Sequence, residues 1–372
     1  MRIRDGVEHP PRDECAALHA GMHGAQELKP ARTFIDALLS TPFDRRHSIN
    51  LLSGNSPVST LICGSLAYDN IMTFQGRFGD HILPDQVHQL NISFLVPTMR
   101  RNFGGCAGNI AYALNLLGGD AKIMATLGEA DAQLYLDRFD ALGLSREYVR
   151  VLPDQHSAQC FITTDLGNNQ ITAFHPGAMN HSWKIKVPEN DGITIGVIAP
   201  DSREGMLQHA EQFKAANIPF IFDPGQAMPL FAGDDFKRFI SISDWLAVND
   251  YEWALLQERT GWSAAEVCKH VKALIVTRGG EGSEIHANGR IHHIPCAPAR
   301  EVIDPTGCGD AYRAGLIHGI LRGLDWDTTG RIASLMGAIK IAVRGTQNHT
   351  VTQAEFADLY ASAFGEPLRA AS

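Results

Sequence analysis

Short runs of apolar residues alternate with longer amphipathic stretches along most of the chain. Strand-like apolar runs occur at residues 61–63, 123–126, 193–199, 220–222, 245–248 and 274–277. Helical periodicity marks residues 106–118, 203–216 and 250–259. Strands that are apolar throughout and are separated by helices indicate a parallel sheet covered on both faces. The pattern therefore predicts an α/β fold, in which ligands bind beyond the carboxyl ends of the strands.

Two segments interrupt this rhythm, at 71–103 and 158–180. Within the second, short strand-like runs at 161–164 and 170–174 are separated by a polar turn. Strand-like runs joined by a turn are typical of antiparallel hairpins. We expect both segments to form a separate small sheet, a β lid, inserted into the α/β domain.

The first 57 residues differ in composition from the rest of the chain. They hold seven basic and seven acidic residues, so the whole negative charge lies after them. They lack the apolar run of a secretory signal and are too acidic for a typical transit peptide. We expect a loosely ordered extension over 1–57, one domain over 58–364, and a short tail over 365–372.

Composition narrows the class of function. The chain has 372 residues, with 32 Lys+Arg against 41 Asp+Glu, and the net charge of −9 argues against binding to nucleic acid. No run approaches the roughly 18 apolar residues of a membrane span. Seven cysteines are scattered without a C-x-x-C pair, which suits a reducing cytoplasm. These features fit a cytoplasmic protein and leave both a small-molecule substrate and a protein partner open.

Two common nucleotide-binding motifs are absent from the sequence. No Gly-Lys dipeptide occurs, which excludes a Walker A loop. The glycine clusters do not spell G-x-G-x-x-G after a strand, which argues against a dehydrogenase.

The most informative segment is D-P-T-G-C-G-D at 304–310, which precedes an apolar helical run at 311–323. Gly307 and Gly309 let the backbone approach a ligand, and the amides of the first helical turn form an anion site. Asp310 at that entrance can take a proton from a hydroxyl that attacks a phosphoryl group. An N-cap at a tight turn explains the same residues equally well. The helix dipole predicts a lowered pKa for Asp310.

This segment resembles the D-T-x-G-A-G-D signature of the ribokinase-like (PfkB) carbohydrate and nucleoside kinases, with Pro305 and Cys308 as departures. Further similar segments follow in the family's order: G-S-L-A-Y-D at 64–69, G-G-C-A-G-N at 104–109, N-D-Y-E at 249–252 and T-R-G-G-E-G at 277–282. Finer similarity at 76–78, 93–96, 174–179 and 249–253 is to bacterial adenosine kinases within this family.

The resemblance implies a ribokinase-like fold and ATP-dependent phosphorylation of the 5′-OH of adenosine, giving AMP and ADP in purine salvage. It assigns Asp310 as general base, and the backbone of Gly307, Cys308 and Gly309 as anion hole. The alternatives are a kinase for guanosine or inosine, a kinase for ribose or fructose, and a catalytically silent nucleoside-binding module.

The resemblance also implies the substrate contacts. Asp69, Gly105 and Asn109 are expected to hold the ribose. Phe174 is expected to stack on adenine, and whether Cys160 or Phe161 lines the slot stays open. The further polar contacts expected around the base are Ser65, Ser93 and Gln226.

The remaining implied sites concern the nucleotide, the metals and assembly. The residues expected at ATP are Asn249, Thr277, Gly279, Gly282, Gly307 and Gly309. Asn249 and Glu252 are expected to bind Mg²⁺ through water, although the pair is equally a helix-capping box. Asp304 and Thr306, with carbonyls around 344–349, are expected to bind K⁺. A homodimer that pairs through the lid is a further expectation.

Overall fold

The computed structural model describes residues 59–82, 91–189 and 191–368. The expected N-terminal extension, 1–57, lies outside the described residues, and so do the last four residues of the expected tail. No helix in the described ranges has both the length and the apolarity that crossing a bilayer would require.

The strands follow one another in an order that places most of them in one sheet. Their bounds are β1 (Ser59–Cys63), β2 (Ala67–Thr73), β3 (Thr98–Gly104), β4 (Asp120–Gly128), β5 (Val149–Leu152), β6 (Ala158–Thr164), β7 (Gln170–His175), β8 (Ile193–Ile198), β9 (Phe220–Phe222), β10 (Trp245–Asn249), β11 (Ala273–Thr277), β12 (Ser283–Ala287) and β13 (Arg290–Ile294).

Helices connect these strands and cover the sheet. Their bounds are α1 (Cys106–Leu116), α2 (Ala132–Leu142), α3 (Arg203–Ala215), α4 (Gly233–Ile242), α5 (Asp250–Thr260), α6 (Ala264–Val267), α7 (Cys308–Leu321), α8 (Trp326–Ile341) and α9 (Gln353–Phe364).

Nine strands form the central sheet in the order β13-β12-β11-β10-β9-β8-β1-β4-β5. The strands from β11 to β5 pair in parallel, and β12 and β13 add an antiparallel edge. All six strand-like runs of the sequence lie in the parallel part, which confirms the predicted α/β architecture. The edge strands β12 and β13 form a tight hairpin whose turn contains Asn288 and Gly289, both with positive φ.

Both faces of the sheet are buried, which explains why its strands are apolar throughout. Ile62 on β1 belongs to the apolar cluster that contains Ile110 of α1 and Leu316 of α7. Its neighbour Leu61 belongs to the cluster on the other face, with Phe239 of α4. Successive residues of a strand point to opposite faces, so a strand covered on both sides needs apolar side chains at every position.

The interrupting segments form a second sheet in the order β3-β2-β6-β7. The pairs β2–β3 and β6–β7 are antiparallel hairpins, and β2 joins β6 in parallel. This lid sheet, as we name these four strands, begins at Ala67 rather than at residue 71. The segment Gly177–Lys184 is a 3₁₀ helix that packs beside α3 and β4, so it lies outside the sheet.

Candidate active site

The carboxyl ends of the central strands meet the amino ends of two helices at one edge of the sheet. Asp223 follows β9, while Asn249 and Thr277 end β10 and β11 and are paired in register. Gly105 begins α1, and Gly307 begins α7. The fold thereby gathers at one edge residues that the sequence places far apart.

The turn into α7 is built on a left-handed glycine. Gly307 is the N-cap with φ 79°, and a Cβ there would lie 2.9 Å from the Thr346 Cγ2 atom. The Cys308 amide donates to the Pro305 carbonyl over 3.1 Å, so this member of the expected anion hole already has a partner. Asp310 is the third residue of the helix, which rules out the N-cap interpretation.

Asp310 is bonded directly to Asn109. The Asn109 Nδ2 atom donates to the Asp310 Oδ2 atom over 2.8 Å. Burial raises the pKa of Asp310 to about 7, and the nearby Asp223 carboxylate adds to this, while the Asn109 bond and the Arg313 guanidinium oppose it. The expectation of a lowered pKa was wrong, because removing water from a carboxylate outweighs the partial charge of a helix end.

A second amide fixes the orientation of Asn109. The Gln347 Nε2 atom donates to the Asn109 Oδ1 atom over 3.0 Å and to the Tyr135 hydroxyl over 2.9 Å. The Tyr135 hydroxyl in turn donates to the Gly104 carbonyl over 2.5 Å. Because the Asn109 oxygen faces Gln347, its NH₂ group faces Asp310. Sequence analysis missed Gln347 and Tyr135, since nothing in their local sequence distinguishes them.

A buried ion pair holds α7 against the strand ends. The Arg313 guanidinium donates to both oxygens of Asp223 over 3.2 and 3.0 Å, and to the Ala247 carbonyl over 3.3 Å. Each side chain is about 5% exposed. Sequence analysis missed this pair too, although an arginine in an apolar helix, one turn after Asp310, was a usable signal.

Asp69 lies against Gly104, the residue before Gly105, because a Cβ at Gly104 would lie 2.5 Å from the Asp69 Oδ2 atom. Asp69 is within β2, and burial together with the charge of Asp304 raises its pKa to about 6. Gly105 has φ 87°, and a Cβ there would lie 2.5 Å from the Ser65 carbonyl oxygen. The Ser65 Oγ atom accepts a bond from the Cys106 amide over 3.1 Å. Only glycine fits this junction.

The strand register of the lid sheet places Cys160 and Phe161 on opposite faces. Asp69 pairs with Cys160, and Cys160 pairs with Phe174. Directly paired residues share a face of a sheet, so Asp69, Cys160 and Phe174 form one row, and Phe161 points to the opposite face. Phe174 is 53% exposed.

Ser93 and Gln226 are two of the polar side chains that were expected to contact the base. Both side chains are exposed, and within the described ranges neither hydrogen-bonds to the row of Asp69, Cys160 and Phe174.

The expected nucleotide residues cluster around the ends of β10 and β11. The Asn249 Oδ1 atom accepts from the Glu252 amide over 2.7 Å, and the Glu252 Oε2 atom accepts from the Asn249 amide over 2.8 Å, so the pair is a capping box. The Thr277 hydroxyl donates to the Val248 carbonyl over 3.4 Å. Burial raises the pKa of Glu252, opposed by Arg313.

The expected glycines of this region sit in the loop after β11. Gly279 has φ 52° and open space around it, while Gly282 has φ 90° and its Cβ would lie 2.1 Å from the Ile294 carbonyl. Arg278 in the same loop is paired with Glu284 at 2.8 Å. Arg278 is therefore paired within the protein at the edge of this loop.

The Asn249 Oδ1 and Glu252 Oε2 atoms each already accept a backbone amide in the capping box, so a Mg²⁺ ion here would be held mainly by water and phosphate. No group of three or more His, Cys, Asp or Glu side chains in the described ranges is arranged to hold a metal ion. Mg²⁺ usually keeps several waters and uses one or two carboxylates beside substrate phosphates.

The residues around Asp304 do not fit the expected K⁺ site. Its carboxylate accepts bonds from the Thr306 amide over 2.9 Å and the Gly345 amide over 2.8 Å. Its carbonyl oxygen accepts a 2.6 Å bond from the Lys340 ammonium, which also donates to the Val343 carbonyl over 3.3 Å. A lysine ammonium therefore already binds the carbonyl oxygen of Asp304, one of the two residues named for K⁺.

Comparison with known proteins bears on the family and the fold. The model of the pfkB family carbohydrate kinases matches residues 73–353. A nucleoside kinase of Methanocaldococcus jannaschii is 31% identical over 266 residues, which cover 70% of this chain and 86% of that protein. The structure of Burkholderia thailandensis nucleoside kinase in complex with inosine is 59% identical, with a TM-score of 0.76, and the match covers 83% of this chain and 99% of that one. Ribokinase of Thermotoga maritima, at 19% identity and a TM-score of 0.67, shares the fold.

Proposed function

The chain belongs to the pfkB family of carbohydrate kinases, and from this we propose that it transfers the γ-phosphoryl group of ATP to the 5′-OH of a purine nucleoside. The sequence resemblance favours adenosine, with AMP and ADP as products. The inosine complex of the Burkholderia thailandensis relative favours inosine. We propose that both nucleosides are acceptors, and that the reaction serves purine salvage in the cytoplasm.

The observation that carries the proposal is the bond between Asn109 and Asp310. It joins the residue expected at the ribose to the carboxylate expected to accept the proton of the 5′-OH. A base works best when its pKa lies near the working pH. With its pKa raised to about 7, Asp310 is ionised in part of the population at neutral pH and still accepts a proton readily.

Three features stabilise the negative charge on the phosphates during phosphoryl transfer. The amide of Gly309 lies in the first turn of α7, where amides lack an intrahelical partner and the helix dipole favours an anion. The Arg313–Asp223 pair fixes the position of that helix. When bound at Asn249 and Glu252 through water, Mg²⁺ would neutralise charge on the phosphates.

The ribose and the base would lie along the row of Asp69, Cys160 and Phe174. The Asp69 carboxylate would accept bonds from the cis-diol, with the backbone of Gly105 in close approach. An aromatic ring at Phe174 provides a stacking surface for a purine. Closure of the lid sheet over this row would exclude water and limit hydrolysis of ATP.

The face of the lid sheet opposite Asp69 supports a homodimer. Met99, Phe161 and Ile171 lie on that face and are 62%, 39% and 44% exposed. Three exposed apolar side chains on one flat sheet favour pairing with a second copy of the chain. Sedimentation equilibrium would give twice the monomer mass, and a monomer mass at assay concentration would refute this part.

The deciding experiment measures ADP release with Mg²⁺ and five acceptors: adenosine, inosine, guanosine, ribose and fructose. Turnover of adenosine and inosine, abolished in Asp310→Asn, supports the proposal. Turnover of ribose or fructose alone removes the purine site and keeps the kinase chemistry. Nucleoside binding without turnover identifies a silent binding module.

A pair of variants tests the base contact separately. Phe174→Ala should raise KM for purine nucleosides about tenfold, which is the loss expected when an aromatic contact is removed. Leu166→Ala removes an apolar side chain of similar exposure from the nearby turn and should leave KM unchanged. An equal KM in both variants would remove Phe174 from the base site.

A further inference from the structure

Lys340 is a fully buried lysine in the last turn of α8, beside the loop that enters α7. Its side chain is 0% exposed, and its ammonium is 2.6 Å from the Asp304 carbonyl and 3.3 Å from the Val343 carbonyl. The Asp304 carboxylate is a third neighbour, with Oδ2 at 3.8 Å. Lysine is rarely fully buried unless its charge is paired. Full burial is therefore unusual for a lysine whose only role is packing.

The surroundings of the ammonium are those of a cation site. Two carbonyl oxygens and a carboxylate converge on one point, and backbone carbonyls replace the hydration shell of a K⁺ ion in the same way. The carboxyl end of α8 adds the negative end of a helix dipole. Any small cation would be stabilised there, and in this chain the cation is covalently attached.

The ammonium also fixes the loop that leads to the catalytic helix. Lys340 at the end of α8 donates to the Asp304 carbonyl, and the Gly345 amide after α8 donates to the Asp304 carboxylate, so both the main chain and the side chain of Asp304 are held. Four residues further on, the Cys308 amide closes the turn onto Pro305. The position of Gly307 and Gly309 therefore depends on where Asp304 is held.

Two opposing influences act on the charge of Lys340. Burial is the larger and lowers the pKa of Lys340, while the negative charge of Asp304 opposes that lowering. His349 is also buried close by, and burial together with the positive charge of Lys340 lowers its pKa to about 4. His349 therefore stays neutral and does not compete with the ammonium.

We propose that the Lys340 ammonium is a tethered replacement for an exchangeable monovalent cation, which holds the Asp304–Cys308 loop in the form that binds the phosphoryl group. The kinase then needs no K⁺. The kinetic half of this inference rests on the proposed function. The structural half, that a cation at this point stabilises the fold, is independent of it.

The test compares K⁺ with tetramethylammonium at equal ionic strength, in the wild-type chain and two variants. The wild-type kcat and Tm should be the same in both salts. Lys340→Ala opens space for an ion, so K⁺ should raise its Tm by about 3 °C or more, as expected for a ligand that binds only the folded state. Its kcat should fall about tenfold or more in tetramethylammonium and recover in K⁺, because an electrostatic stabiliser is lost and then replaced.

Lys340→Met is the matched variant, because its side chain fills the space without a charge. It should lose kcat to the same extent and show no recovery in K⁺. Lys269→Met, a change at an exposed lysine, should behave as wild type in both salts.

Two results would overturn the inference. A saturable rise of wild-type kcat or Tm with K⁺ would mean that an exchangeable cation site is still present. If the Lys340→Ala variant folds and neither its kcat nor its Tm changes with K⁺, the role of Lys340 is structural only. If Lys340→Ala does not fold, the comparison of the wild-type kcat and Tm in K⁺ and in tetramethylammonium decides whether the inference stands. If no acceptor is phosphorylated in either salt, the proposed function fails, while the Tm comparison still tests the cation site.

Discussion

Replacing Asp310 by asparagine should abolish turnover and at the same time stabilise the fold. The wild-type carboxylate carries a pKa raised to about 7, mainly by burial, against 3.8 for an exposed aspartate. Asparagine keeps the size and an oxygen toward Asn109, but it has no charge to bury. The same desolvation that makes Asp310 a useful base therefore costs stability.

The size of the gain follows from the pKa difference and depends on pH. At a pH below the pKa that Asp310 has in the unfolded chain, its carboxyl group is protonated in both the folded and the unfolded state. The substitution then adds nothing to the free energy of unfolding. As the pH rises toward the folded pKa, only the unfolded state loses its proton, so the wild type loses stability. Above the folded pKa the loss is complete, and about 3 pKa units correspond to as much as about 4 kcal/mol. At pH 5 the difference should shrink to about 1.5 kcal/mol.

The assay is the Tm of both proteins at about pH 5 and pH 8, together with kcat at pH 8. We expect Asp310→Asn to melt higher than wild type at pH 8 by more than at pH 5, and to lose about 10²–10⁴-fold in kcat, as for the loss of a general base. The wild-type rate should rise with pH through about 7, because the base acts in its ionised form.

Asp201→Asn is the matched control. The pKa of Asp201 is likewise raised to about 7 by burial, and its carboxylate accepts from the Ser202 amide rather than from the site. This variant should gain stability with the same pH dependence and keep kcat within about twofold. An Asp310→Asn protein that is equally stable or less stable at pH 8 would refute the desolvation argument, and one that retains full kcat would refute the assignment of the base.

Three further substitutions test the supports of the site. Gly105→Ala should lower stability by about 1–3 kcal/mol and raise KM for the nucleoside, because φ is positive and the added Cβ meets the Ser65 carbonyl. Gln347→Leu should lower kcat about tenfold with little change in KM, since the Asn109 amide loses the partner that fixes its orientation. The acid limb of its pH–rate profile should move to higher pH. Arg313→Met should cost about 3–5 kcal/mol in stability, measured by denaturant unfolding, because it leaves Asp223 buried without its partner.

Each of the three substitutions has a control measurement that isolates the physical cause of its expected effect. Gly261→Ala has positive φ but open space, so its loss of Tm should be smaller than that of Gly105→Ala. A pH profile unchanged in Gln347→Leu would make Gln347 a packing residue. The double variant Arg313→Met with Asp223→Asn should recover part of the lost stability, and strictly additive losses would contradict the ion-pair argument.

The sequence alone determined the architecture, and its resemblance to a family supplied most of the candidate site residues. The parallel sheet follows from apolar runs without alternation, because a strand buried on both faces needs apolar side chains at each position. The turn into α7 follows from the order of glycines before an apolar helix. These features are encoded in consecutive residues, so a local pattern was sufficient to single out Gly307 and Asp310, whereas Asn249 and Thr277 were proposed from the resemblance to the family.

The tertiary structure decided the protonation state of the site and the partners of its side chains. Asn109 meets Asp310 across 201 residues and Gln347 across 238 residues. Strand register puts Cys160 rather than Phe161 on the face of Asp69 and Phe174, and the Lys340 ammonium binds the carbonyl of Asp304, a residue expected at K⁺. A pKa depends on how much water the fold removes, and a bond between distant residues depends on how helices and strands are placed. Neither quantity is a property of neighbouring residues in the chain, and so only the packed structure could supply them.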